Sequence, residues 1–294
     1  MYKEDFLHYL SSERAYSEAT VKEYDYILSD FAEFVENQLG KKIDWDSIQD
    51  TDIREWIISQ MNNGSAASSV NTRMSALRSF YKFLLSREYI KSDPTQKVEC
   101  PKRKKALPYY IREGEMERLF DDLVFPDTIE GMRDYMVMLT FYSTGVRLAE
   151  LIGLNVEDVD FGTNTIKVTG KRNKQRLIPF GEEMRNRLTD YIQRCHGDSK
   201  APGCPLFVGN NGKRITRSMV RTIVEKYLGL VTTQKKRSPH VLRHSFATAM
   251  LNNGANIEVV KELLGHESLA TTEIYTHVTF EELKKVYNQA HPRA

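Results

Sequence analysis

Residues 238–250 read SPHVLRHSFATAM. Pro239 suits the first turn of a helix, where its missing N–H leaves no bond unmade. Val241, Leu242, Phe246 and Met250 then return at helical spacing and predict a buried stripe. Into this apolar stretch the chain places His240, Arg243 and His244. His240 and Arg243 lie three apart, so both project over one side of the helix, and the apolar stripe gives them a rigid support. His244 either shares that side or hydrogen-bonds a neighbour. A zinc site is not expected, because no third and fourth ligand with convincing spacing accompany the histidines.

Working outward, 294 residues suffice for two domains, and 40% hydrophobic with 28% charged residues is the balance of a globular protein rather than a disordered one. The formal net charge of +2 neither requires nor excludes a nucleic-acid partner, since local charge arrangement decides that. Cys100, Cys195 and Cys204 form no close pair in sequence and no metal-ligand spacing, which argues against a disulfide scaffold or zinc cluster and for a cytoplasmic location. The amino-terminal MYKEDFLHYL lacks the apolar run of a signal peptide, and nowhere do 18 uncharged apolar residues follow one another, so no membrane association is expected.

The first hundred residues predict a bundle of about four helices. Phe6 and Leu10 mark the first; Tyr24, Ile27, Phe31, Phe34, Val35 and Leu39 mark a long second, capped by Ser17 or Thr20 and ended by Gly40. Ile53 to Met61 makes a third, and Ser69 to Arg87 a fourth, with Val70, Met74, Leu77, Tyr81 and Leu84 as its buried stripe. Arg73, Arg78, Lys82 and Arg87 lie off that stripe and are candidates to face duplex DNA. SDPTQKVECPKRKKALP, residues 92–108, follows; its three prolines oppose a continuous helix, and Lys102, Arg103, Lys104 and Lys105 form the densest positive run of the chain. The expected division is a helical domain over 1–91, a basic linker over 92–108 that crosses a phosphate backbone, and a second domain over 109–294.

That second domain is mixed. Met132 to Phe141 is apolar enough for a buried helix, and residues 163–180 predict a strand, a basic turn and a second strand. Helices are expected over Glu182 to Cys195, Thr216 to Tyr227, Val241 to Asn252, Ile257 to Leu264 and, after Thr279, from Glu281 to Tyr287. STGVRLAEL (143–151) places Arg147 after the turn-prone Gly145, with Glu150 one helical turn on to hold the guanidinium. GKRNKQRLIPF (170–180) crowds Lys171, Arg172, Lys174 and Arg176 into one turn, a reason for a hairpin to approach phosphate. LLGHESLATTEIYTHV (263–278) adds His266 after Gly265, and Tyr275 with His277 two residues beyond it.

Together these residue types suit phosphoryl transfer. Two arginines can bind the nonbridging oxygens of a phosphodiester, imidazoles can move protons, a lysine can protonate a leaving oxygen and a tyrosine can attack phosphorus. About one part in a thousand of a free tyrosine is phenolate at neutral pH, roughly 4 kcal/mol from full ionisation, and adjacent cations reduce that cost. No acidic cluster suggests a two-metal site, and no cofactor is expected.

The four quoted motifs, in this order, closely resemble the tyrosine recombinase (phage integrase) family, most nearly the bacterial Xer-type recombinases that resolve chromosome dimers. The similarity covers essentially the whole chain. It implies a mainly α fold, with a SAM-like helical core-binding domain followed by a mixed α+β catalytic domain holding a small antiparallel sheet. It also implies a catalytic set of Arg147, Lys171, His240, Arg243, His266 and Tyr275. In that scheme Tyr275 attacks to form a 3′-phosphotyrosyl link, Lys171 protonates the departing 5′ oxygen, and the arginines and histidines organise the phosphate. The resemblance, not the spacing, selects Lys171 over Lys174. Implied partners are a specific DNA site, a DNA-bound tetramer or a heterotetramer with a related recombinase, and a DNA translocase. The carboxy-terminal helix, with Phe280, Leu283 and Val286, could cover its own domain, but the resemblance favours docking on a neighbouring recombinase, which makes it an assembly segment. A phage or mobile-element integrase, a type IB topoisomerase and a catalytically silent DNA-binding protein are the alternatives.

Overall fold

Ser17 has extended backbone, and its hydroxyl accepts the Thr20 N–H at 3.3 Å, starting the second helix where the sequence predicts a cap. The computed structural model describes residues 2–102, 109–170, 173–197, 201–265 and 279–294. The chain divides into two compact units, Met1–Ala106 and Leu107–Ala294.

The first unit holds α1 (Tyr2–Ser12), α2 (Glu18–Gln38), α3 (Asp50–Asn62) and α4 (Ala67–Ser86). Phe6, Phe31, Trp56, Leu77 and Phe80 are buried among them, and the Trp56 indole N–H donates to Asp30 at 3.1 Å. Residues 92–102 depart from the expected linker. Val98 and Thr95 are buried, and three side chains donate to backbone carbonyls of this stretch: Arg54 to Lys97, Arg78 to Val98 and Asn71 to Pro101. An apolar residue and satisfied carbonyls make this segment part of the helical unit.

Three cations on or just beyond α4 are correspondingly committed within the unit. Arg73 donates to Gln60, Arg78 to the Val98 carbonyl at 2.7 Å, and Arg87 pairs with Glu13 while lying over Tyr9 and Phe83. Lys82 and Lys102 are exposed, and Arg103, Lys104 and Lys105 lie outside the described residues.

The second unit is organised around α6 (Ile129–Thr144), buried on all sides from Arg133 to Thr144. Before it, α5 (Glu113–Glu117) runs into a π-helical turn at Arg118–Asp122. After it come α7 (Leu148–Gly153) and a three-stranded antiparallel sheet in the order β1-β2-β3: β1 (Val159–Asp160), β2 (Thr165–Thr169) and β3 (Gln175–Pro179). Ile166 pairs with Ile178 and Val168 with Arg176. Then follow α8 (Glu182–His196), α9 (Arg217–Val231), α10 (Pro239–Asn252), α11 (Ile257–Leu264) and α12 (Phe280–Ala290). None of the helices among the described residues is long and apolar enough to cross a membrane.

In α12, Leu283, Tyr287 and Ala290 are buried in their own unit. Beyond it, the His291 ring stacks on Tyr287, its Nε2 donates to the Tyr142 carbonyl at 3.0 Å and its Nδ1 accepts the Arg293 N–H at 3.0 Å. Both ring nitrogens are thus fixed in the neutral form, and burial pulls the imidazole down to about 4 from its ordinary 6.5. Arg293 in turn pairs with Glu183 and Asp121.

Between those two pH values the unfolded chain binds a proton at His291 that the folded chain does not, so stability falls as pH drops through this window and levels off below it. Urea unfolding of the second unit should lose about 2 kcal/mol more between pH 7 and pH 5 in the unaltered protein than in His291→Gln. Equal losses in both proteins would remove His291 as the cause.

Candidate active site

Gly145 ends α6 with φ +59, and a Cβ there would stand 2.4 Å from Phe246 Cδ1 and 2.9 Å from Leu264 Cδ2. A side chain has neither the conformation nor the room, and this close approach brings α6, α10 and α11 together. Arg147 follows at the amino-terminal cap of α7. Its backbone N–H donates to Glu150 Oε2 and its Nη1 to Oε1, both at 2.8 Å, while Nη2 reaches the Gly265 carbonyl at 2.7 Å.

Glu150, 4% exposed, is the hub. Arg176 forks onto it, Nη1 to Oε1 and Nη2 to Oε2, each at 2.9 Å. Burial alone would raise this carboxyl, but hydrogen bonds from Arg176 and Arg147 outweigh burial and bring it down to about 2. It is therefore ionised at neutral pH.

Arg243, on α10, is 8% exposed. Its Nη1 donates to the Gly145 carbonyl and its Nη2 to the Leu264 carbonyl at 2.7 Å. Burial, then the nearby charge of Arg147, lowers this guanidinium to about 10, so it remains a cation at neutral pH. Three successive carbonyls at the end of α11 thus receive three different arginines: Leu263 takes Arg176 Nε at 2.8 Å, Leu264 takes Arg243 and Gly265 takes Arg147. These carbonyls are the partially negative end of the helix, which is why three cations tolerate one another there.

Three guanidiniums against one carboxylate leave the cluster with an excess of two positive charges, suited to an anion that gains negative charge as it reacts. Arg147 keeps 39% of its side chain exposed and is the open face of the cluster. His240 is exposed on the first turn of α10 and His244 is half-buried. Ser245, on the same helix, accepts the Ile111 N–H at 2.7 Å and ties the start of the unit to α10.

The sequence and the geometry differ at Arg176. The basic turn suggested a duplex-facing cation, yet its side chain is 14% exposed and directed inward. It sits across from the buried Val168 on the face that also carries Ile178, so strand alternation is the signal that assigns it to the interior. The base of the hairpin closes with the Gly170 N–H on the Lys174 carbonyl at 2.7 Å, and a Cβ on Gly170 would lie 3.3 Å from Glu150 Oε1. Lys171, Arg172, His266, Tyr275 and His277 lie outside the described residues.

Residues 109–282 match the model of the phage integrase family, and residues 4–88 match the phage integrase N-terminal SAM-like domain. The chain belongs to the phage integrase family. This tyrosine recombinase is 36% identical to tyrosine recombinase XerC of Chlorobaculum tepidum, over 99% of this chain and 94% of that protein. It is also 36% identical to tyrosine recombinase XerD of Lacticaseibacillus casei, over 98% of each. The fold is shared with a lambda integrase(75-356) dimer bound to a COC′ core site, at TM-score 0.72 and 14% identity, covering 100% of this chain and 96% of that one. It is shared also with XerH bound to palindromic difH in a post-cleavage complex, at TM-score 0.72 and 21% identity, covering 92% and 80% of the two chains.

Gly145→Ala in this recombinase should cost about 2 kcal/mol or more in unfolding free energy, from positive φ and overlap together. Gly153→Ala, where an added Cβ meets nothing within 4 Å, should be near neutral by the same measurement. Equal effects at the two positions would show that the close approach at Gly145 does not limit stability.

Proposed function

We propose that this protein is an Xer-type recombinase that resolves chromosome dimers in the cytoplasm, cutting and rejoining a specific duplex site through Tyr275. The observation that carries this reading is the pairing of Arg147 and Arg243 on adjacent carbonyls of one helix end, with a net positive excess beside them. The XerC and XerD relatives match at 36% identity over nearly the full chain and favour the Xer-type role among integrases.

In this mechanism Arg147 and Arg243 hold the nonbridging oxygens of the scissile phosphate. His240, exposed at the start of α10, accepts the phenolic proton as the Tyr275 oxygen attacks phosphorus. The bond to the 5′ oxygen breaks and Lys171 supplies its proton, leaving a 3′-phosphotyrosyl ester. His266 adds a donor to the phosphate. The five-coordinate transition state carries one more negative charge than the diester, which the positive excess around Glu150 stabilises. A 5′ hydroxyl from a partner duplex then reverses the linkage, and the bond energy kept in the ester makes ATP unnecessary. Lys82, Lys102, Arg103, Lys104, Lys105, Arg172 and Lys174 contact the DNA backbone, with Arg73, Arg78 and Arg87 supporting that surface. Assembly is a DNA-bound tetramer, or a heterotetramer with a related recombinase, under control of a DNA translocase.

A nicked suicide duplex carrying a chromosome-dimer resolution site tests the chemistry. The unaltered protein should form a covalent 3′ adduct and Tyr275→Phe none; an equal adduct from the phenylalanine variant excludes Tyr275. Arg147→Ala and Arg243→Ala should slow cleavage far more than they weaken binding, whereas equal loss of both would mark general DNA contacts. Lys171→Ala should regain cleavage on a nicked substrate with a better 5′ leaving group, and no rescue would remove its role as proton donor.

A further inference from the structure

Arg176 has no role in the chemistry above, yet it bonds to Glu150 and to the end of α11, the same two groups that hold Arg147. Its Nε donates to the Leu263 carbonyl at 2.8 Å, and its two Nη atoms take one oxygen each of Glu150 at 2.9 Å. The same carboxylate receives the backbone N–H and Nη1 of Arg147, whose Nη2 returns to Gly265, two residues from Leu263. The bonds close a ring: Arg147, Glu150, Arg176, the end of α11 and back to Arg147. β3 is thereby joined to α7 and α11 through one planar group.

Two loops are gauged against this group. A Cβ on Gly265, the residue before His266, would lie 3.0 Å from Arg176 Nη1 and 3.2 Å from its Cζ. A Cβ on Gly170, the residue before Lys171, would lie 3.3 Å from Glu150 Oε1 and 3.9 Å from Arg176 Nη1. Both loops approach so closely that a methyl group would press on the Arg176–Glu150 pair or come to its edge.

We propose that Arg176 is a positioning residue for strand cleavage, setting Arg147 through Glu150 and holding the Gly265 and Gly170 turns that lead into His266 and Lys171. The inference rests on the recombinase function proposed above. A lysine in its place has one ammonium on a flexible stem and cannot span a carboxylate and a carbonyl in fixed directions, so the planar fork and not the charge is what the site uses. Nor is Arg176 a backbone grip on DNA, because all three of its nitrogens donate inward and 14% of the side chain is exposed.

The test uses the full-length protein on the nicked suicide duplex, with Arg176→Lys, Arg176→Ala, Glu150→Gln and the Glu150→Gln/Arg176→Ala double variant. Adduct formation at saturating DNA should slow roughly 100-fold in Arg176→Ala, the scale of an ångström-sized misplacement. Arg176→Lys should be no faster than the alanine variant, and the double variant no slower than either single one, since the pair acts as a unit. Half-saturating DNA concentration and its salt dependence should stay within about twofold, whereas loss of a phosphate contact would flatten the salt slope by about one.

Recovery of the rate by lysine, or a loss of affinity in step with rate, overturns the proposal. If the unaltered protein makes no Tyr275-dependent adduct, the recombinase function fails, and amide hydrogen exchange, which needs no reaction, decides the positioning half. Faster exchange at 147–150 and 263–265 together in Arg176→Lys supports the ring, and unchanged exchange at both overturns it.

Discussion

The end of α11 presents three successive carbonyls to three arginines from three other elements, and the catalytic unit depends on that convergence. The last carbonyls of this eight-residue helix have no partner within the helix itself, and a core cannot leave such acceptors unsatisfied. Arginine is suited to them because its donors are several, planar and permanently charged. The same bonds that satisfy the helix end also aim two guanidiniums at one place. A single set of contacts therefore stabilises the helix end and gathers positive charge beside it.

Glu150 completes this arrangement by lowering the repulsion among the cations. A buried carboxylate held to about 2 is a large local charge, and it works against desolvation because every one of its oxygens is bonded. Without it, Arg147 would be a cation at a helix amino terminus, where the backbone dipole is unfavourable to positive charge. The capping carboxylate reverses the sign of that end and lets an arginine stand there.

Much of this was legible in the sequence. The caps and periods of α2, α4 and α10 are local properties: the apolar stripes and Pro239 place these elements, and Ser17, one of two caps the sequence offers, is the one used. Glu150 was readable as a partner of Arg147 from their three-residue separation. The role of Arg176 was not, because four cations in six residues look alike until strand register decides which one faces Val168. The packing of segment 92–102 is hidden for a similar reason: prolines and lysines signal a linker, whereas Val98 is buried and distant Arg54, Asn71 and Arg78 donate to the carbonyls of this stretch. Long-range partners leave no periodic trace.

The depth of Arg243 has one more consequence. Mobile ions screen charges that stand in water over about 8–10 Å at ordinary ionic strength, but reach a buried guanidinium much less. Exposed cations such as Lys82 and Lys102 lose their attraction for a polyanion as salt rises, while the field from the α11 end persists. Ionic strength therefore divides the charges of the molecule into an exposed set that the solvent tunes and a buried set that it reaches far less.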